Sequence, residues 1–249
     1  MAREGDYVHG RHAVSELLQA RPEMVRHLYV ASSAQAAWMT ELVARAKHAQ
    51  VDVQVVPKRT LLDMVGQVAH QGVVAAVARF RYAALEDVLE TEQANPMLVA
   101  LDQIQDPHNL GAILRSSQAF GVSGAIVPKD RSADMTPAAI KAAAGAAAHI
   151  PVARVTNLRR ALREAQQAGF WVVGTVAEGG EVISEVDLVR PLVWVVGSEG
   201  KGLRRGVAQG CDMLVRIPIA AQIGSLNASV AAGIALYEAA RQQIGRAHV

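Results

Sequence analysis

Three short stretches hold the side chains with clear chemical uses. The first is Asn109-Leu110-Gly111-Ala112-Ile113-Leu114-Arg115, an amide and a guanidinium on one segment. The second, Gly197-Ser198-Glu199-Gly200-Lys201-Gly202-Leu203, sets a carboxylate among glycines. The third runs from Ile217-Pro218 to Ser225-Leu226-Asn227-Ala228-Ser229. Arginine grips phosphate through a planar fork. A glycine-rich loop lets the backbone approach a ligand. Asn109 can cap a helix, as can Ser225 or Asn227, and Arg115 falls farther round and deeper on its helix. No His, Cys or Asp cluster has the spacing of metal ligands. Taken singly, each stretch also reads as ordinary: a capped surface helix, a turn with a solvated glutamate, a helix start.

The second stretch matches none of the familiar nucleotide loops. A phosphate-binding P-loop needs Gly-Lys-Ser/Thr, and Gly202 is followed by Leu203. A dinucleotide loop needs Gly-x-Gly-x-x-Gly, and Gly197 is followed by Ser198-Glu199. A plain Rossmann-type nucleotide enzyme is therefore disfavoured.

Short apolar runs alternate with helical patterns around these stretches. Strands are expected at 97–101, 125–127, 152–155, 171–176, 192–196 and 213–217, and helices at 109–120, 137–147, 157–168, 203–210 and 226–243. Strands this apolar indicate a parallel sheet covered on both faces. In such a sheet the ligand crevice lies past the carboxyl ends of the strands, and all three stretches fall there. Residues 80–96 are more acidic and end at Pro96, so they read as a partly helical linker. Before them lies a small α/β unit, with helices at 9–19, 34–48 and 61–65 and strands at 27–30, 51–56 and 73–77. The expected domains are 1–79, the linker 80–96, and 97–249.

With 249 residues and 51% hydrophobic content, a sizeable core is available; at 4% aromatics it is built from Ala, Val, Leu and Ile. The single cysteine, Cys211, rules out an internal disulfide and reads as a small buried apolar residue. No signal peptide or membrane span is expected, so the protein is expected in the cytoplasm. The net charge is only +2. Arginine far outnumbers lysine, which permits an RNA partner without arguing for one.

In order and at strand ends, the three stretches resemble the signature motifs of the SpoU-type RNA 2′-O-ribose methyltransferases of the SPOUT superfamily. The resemblance extends to Gly10-Arg11-His12-Ala13-Val14, His70-Gln71-Gly72, Val127-Pro128-Lys129-Asp130-Arg131-Ser132 and Val155-Thr156-Asn157-Leu158, and so covers nearly the whole chain. One departure is visible: Ala228 stands where Val is common.

This resemblance implies a small N-terminal α/β domain of the L30e type that binds RNA, and a C-terminal α/β parallel-sheet domain tied in a trefoil knot. It implies S-adenosylmethionine as cofactor, contacted by Gly197, Ile217 and Leu226, with Thr175 a weaker candidate. Asn109, Arg115, Glu199, Ser225 and Asn227 match the catalytic positions, with Glu199 orienting Arg115 or Asn109. The implied partners are 23S ribosomal RNA, methylated on a guanosine ribose, and a second copy of the chain, joined through the C-terminal domain. DNA, which lacks the 2′-hydroxyl, is excluded. A related enzyme acting on transfer RNA and a non-catalytic RNA-binding assembly factor remain as alternatives. The intact polar set argues against the latter.

Overall fold

The computed structural model describes residues 7–33, 37–78, 80–220 and 224–247. The expected helix start at 34–36 and the N-terminal six residues lie outside these. The first unit contains β1 (Tyr7–His9), α1 (Arg11–Ala20), β2 (Val25–Ala31), α2 (Ala37–His48), β3 (Asp52–Val56), α3 (Lys58–Val65) and β4 (Val73–Val77). Its sheet has the order β1-β4-β2-β3. Val14, Leu17 and Leu18 bury the inner face of α1, as the periodicity predicts. The helix was expected from residue 9, but Gly10 at φ 94° separates α1 from β1. His9 instead pairs with Val74 of β4.

The next segment forms α4 (Leu85–Leu89), whose Val88 is buried against the second sheet's core. Then follow β5 (Met97–Asp102), α5 (Pro107–Ala119), β6 (Val122–Pro128), α6 (Pro137–Ala142), α7 (Ala146–His149), β7 (Val152–Val155) and α8 (Leu158–Gln167). The chain continues through β8 (Trp171–Val176), β9 (Glu181–Val182), β10 (Leu192–Gly197), α9 (Arg205–Ala208), β11 (Met213–Arg216) and α10 (Ala228–Ala247). The seven strands lie in the order β7-β6-β5-β10-β8-β11-β9, and every pairing is parallel.

Both faces of this sheet are covered, and β10 shows it residue by residue. Leu192, Trp194 and Val196 enter one core with α5 and α10. Val193 and Val195 enter the other with α8. Alternate residues point to opposite faces, so a strand buried on both sides must be apolar throughout.

One expected helix, at 137–147, is instead two. Ala144 (φ 47°) and Gly145 (φ 95°) are left-handed and break it. A Cβ on Gly145 would stand 2.7 Å from Glu16 Cβ, so the break makes room for α1 of the N-terminal unit. The same junction holds Arg21, whose Nε donates to the Ala148 carbonyl at 2.7 Å. Nearby, Lys141 Nζ lies 3.4 Å from both ring nitrogens of His9. Burial, then the Lys141 charge, lowers the His9 pKa below its ordinary 6.5. No helix among the described residues is long and apolar enough to cross a membrane.

Candidate active site

The site begins at the last residue of β5. Asp102 is fully buried, and a buried carboxylate needs partners. It accepts from the Arg204 backbone N–H at 2.8 Å and from Arg204 Nε at 2.7 Å. This ties the far end of the glycine loop to β5. The sequence signal for Asp102 was a charge ending an apolar strand.

Asp106 caps α5, accepting from the His108 N–H at 2.9 Å, with Pro107 in the first turn. The expected cap was Asn109. Because Asp106 takes that task, the Asn109 side chain is free for the site, and its Oδ1 accepts from Asn227 Nδ2 at 3.1 Å. Asn227 Nδ2 also lies 3.4 Å from Glu199 Oε2. At its other end, Asn227 Oδ1 accepts from Ser229 N at 2.8 Å and Ser229 Oγ at 2.6 Å. Between Ser225 and Asn227 as candidates, Asn227 therefore holds the start of α10, and that bond orients its amide. One residue from each stretch meets at this amide.

Glu199 was expected to orient Arg115 or Asn109; its hydrogen bond goes to Asn227. Arg115 does not join the cluster. It is exposed rather than deep and lines neither of the two cavities that adjoin the cluster. Among the described residues no hydrogen bond or ion pair holds it.

Gly197, Ile217 and Leu226 line one cavity of about 340 Å³, together with Thr175, Ser225 and Glu199. The Thr175 hydroxyl donates to the Val195 carbonyl at 3.2 Å. Gly197 was expected to give backbone room to a ligand. Its first demand is internal, because a Cβ there would lie 2.2 Å from the carbonyl carbon of Gly202. Ser198 and Gly202 close the loop with reciprocal backbone hydrogen bonds of 3.2 and 2.8 Å, and Gly200 and Gly202 take φ of 77° and 62°.

A second cavity of about 500 Å³ adjoins the first and shares Ser198 and Glu199 with it. It is polar, lined also by Gln103, Gln105, Asn109, Arg131 and Lys201. The sequence reading gave no site role to Gln103, Arg131 or Lys201. They come from three separate loops, and only the fold brings them together. Among the described residues no group of acidic, His or Cys side chains can hold a metal. Cys211 is no nucleophile: burial, then Asp212, pushes its thiol up to about 12.

Two adjoining cavities past the carboxyl ends of a parallel sheet, with an amide–carboxylate cluster beside them, define an α/β protein with a two-chambered cleft at its strand ends. Residues 96–237 match the model described as the SpoU rRNA Methylase family, and residues 7–83 match that for RNA 2′-O ribose methyltransferase substrate binding. The chain belongs to the SpoU rRNA methylase family. It is 43% identical to the 23S rRNA (guanosine-2′-O-)-methyltransferase RlmB of Pseudomonas putida, over 95% of this chain and 96% of that one. The crystal structure of the SpoU methyltransferase AviRb from Streptomyces viridochromogenes in complex with AdoMet is similar at a TM-score of 0.82 and 28% identity, covering 97% and 91% of the two chains. An AdoMet-bound rRNA methyltransferase from Sinorhizobium meliloti is similar at 0.80 and 28%, covering 96% and 87%.

Proposed function

We propose that this protein is a cytoplasmic enzyme that transfers a methyl group from S-adenosylmethionine to the ribose 2′-hydroxyl of a guanosine in 23S ribosomal RNA. The observation that carries this reading is the meeting of Asn109, Glu199 and Asn227 beside two cavities that share a wall. Methyl transfer needs donor and acceptor held next to each other, and cavities that share Ser198 and Glu199 suit that. The 340 Å³ cavity, walled by Gly197, Ile217 and Leu226, is within the size range of small-molecule sites. Its apolar wall residues suit an adenosine.

S-adenosylmethionine supplies an electrophilic methyl group, so the residues need to place and activate the hydroxyl. Asn109 and Asn227 form a fixed amide pair, with Glu199 holding its donor end. Ser225, on the wall of the 340 Å³ cavity, offers a hydroxyl to the ligand there. A guanidinium offers hydrogen-bond donors and no acceptor, so the role of Arg115 is a clamp that stabilises alkoxide charge as it develops. The functional domains are residues 1–79 for RNA binding and 97–249 for methyl transfer, joined by 80–96. The C-terminal loops form a trefoil knot in this reading; the return of the chain from edge strand β9 to β10, between β5 and β8, supports it. The working form is a homodimer through the C-terminal domain.

The test is transfer of labelled methyl to protein-free 23S RNA from cells lacking the gene, with transfer RNA alongside. The expected result is label on a guanosine ribose of 23S RNA, lost with Arg115→Ala. Label confined to transfer RNA reassigns the substrate. No label on either, despite cofactor binding, overturns the reading for free RNA.

A further inference from the structure

The 500 Å³ cavity is lined by two cations, Arg131 and Lys201, besides the carboxylates Asp106, which caps α5, and Glu199, which bonds Asn227. Arg131 and Lys201 reach it from different loops, β6–α6 and β10–α9. Among the described residues neither has a hydrogen-bonded or ion-paired partner. The same cavity is lined by Gln103. Both Gln103 (φ 62°) and Arg131 (φ 56°) are left-handed without being glycine. Backbone strain of this kind persists where surrounding structure enforces it, and it concentrates at ligand sites. The enforcement is visible: the Ile104 carbonyl accepts from Ala133 N at 2.7 Å and from Ser132 Oγ at 3.4 Å. The two strained loops are thus bonded to each other beside the cavity.

A nucleotide within an RNA strand has a phosphate on each side of its ribose. Its 2′-hydroxyl must face the wall shared with the cofactor cavity, Ser198 and Glu199. We propose that this cavity is the acceptor-nucleotide subsite, in which Arg131 and Lys201 clamp the phosphates flanking the methylated ribose. This rests on the RNA methyl-transfer reading. A net charge of +2 gives the chain no general attraction for RNA, so affinity must come from placed cations such as these.

The experiment compares Arg131→Ala, Lys201→Ala and their double variant with Arg163→Ala, which removes an exposed cation of α8 that lines neither cavity. Binding of protein-free 23S RNA is measured across salt concentrations. Methyl-transfer kinetics and cofactor affinity are measured on the same proteins. Each cleft variant is expected to lower the salt slope by about one and to raise KM for RNA about tenfold. Cofactor affinity and kcat should hold, and Arg131→Lys should recover much of the binding. Wild-type slope and affinity in the double variant, or an equal loss in Arg163→Ala, overturns the clamp. A wild type that binds RNA but transfers no methyl sinks the activity reading alone, because the binding series still decides the clamp. A wild type that binds no RNA overturns both.

Discussion

Asn227 uses both ends of one amide, and the two uses can be separated. Its oxygen caps α10 through Ser229, while its nitrogen binds Asn109 and Glu199. Asn227→Ala removes both and should cost about 1 kcal/mol in stability through the lost cap, besides its activity. Asn227→Ser retains a capping oxygen and removes only the donor. The melting temperature of Asn227→Ser should stay near wild type while methyl transfer falls about 100-fold. An active Asn227→Ser enzyme would reduce Asn227 to a helix cap. The sequence placed these residues in one site without their partners, because hydrogen bonds across 118 positions leave no local signal. Asp106 was within reach: an Asp before Pro107 is a common helix start, and it competes with Asn109 for the cap. Arg115 could not be placed, since spacing along α5 says nothing of what faces the helix.

Elements were legible where burial imposes a pattern. Strands β7 and β8 lie where the apolar runs put them, at Val152–Val155 and Trp171–Val176. Edge strands β1 and β9 were missed because three and two residues are too few to show alternation. The break between α6 and α7 was missed because an Ala/Gly run fits a helix equally well, and the contact that breaks it comes from Glu16, far away in sequence. Gly111 shows how tightly these elements meet. A Cβ there would sit 2.5 Å from both the Ala139 carbonyl oxygen and Ala142 Cβ. In an isolated helix, Gly→Ala stabilises by up to about 1 kcal/mol. Here the added methyl must push α6 off α5, and overpacking costs about 1–3 kcal/mol. Gly111→Ala should therefore lower stability in denaturant unfolding. Gly206→Ala in α9, where a Cβ meets nothing within 4 Å, should be neutral or slightly favourable. Equal effects at the two glycines would mean that the α5–α6 contact does not control the fold.

Among the described residues an apolar stripe of α10 lies uncovered, and it adjoins Arg115. On α10, Val230, Ile234 and Tyr237 are 49%, 36% and 53% exposed, at helical spacing along one stripe. Tyr237 packs edge-on to Phe120 with ring centroids 5.8 Å apart, and Ala112 and Ser116 of α5 continue the same hollow. Arg115 falls between those two residues in sequence, at the border of this face. An exposed apolar stripe of this kind suits a contact surface, and in the homodimer proposed above a second copy occupies it, as symmetric homo-oligomers are the commonest assemblies. The prediction for such a dimer is that Arg115 of one subunit completes the other's cluster. Tyr237→Glu should then produce a monomer in sedimentation and abolish methyl transfer while leaving the fold intact by circular dichroism. The stronger test mixes two inactive proteins, Arg115→Ala and Glu199→Gln, after unfolding and refolding together. In a shared site, half of the dimers are mixed, and each has one intact site with Arg115 and Glu199 from different chains. Activity should return to about a quarter of wild type. In a site built within one subunit every site in the mixture lacks one group, and no activity returns. Recovery near a quarter would assign Arg115 to its partner's reaction; none, from proteins shown to exchange subunits, would return it to its own.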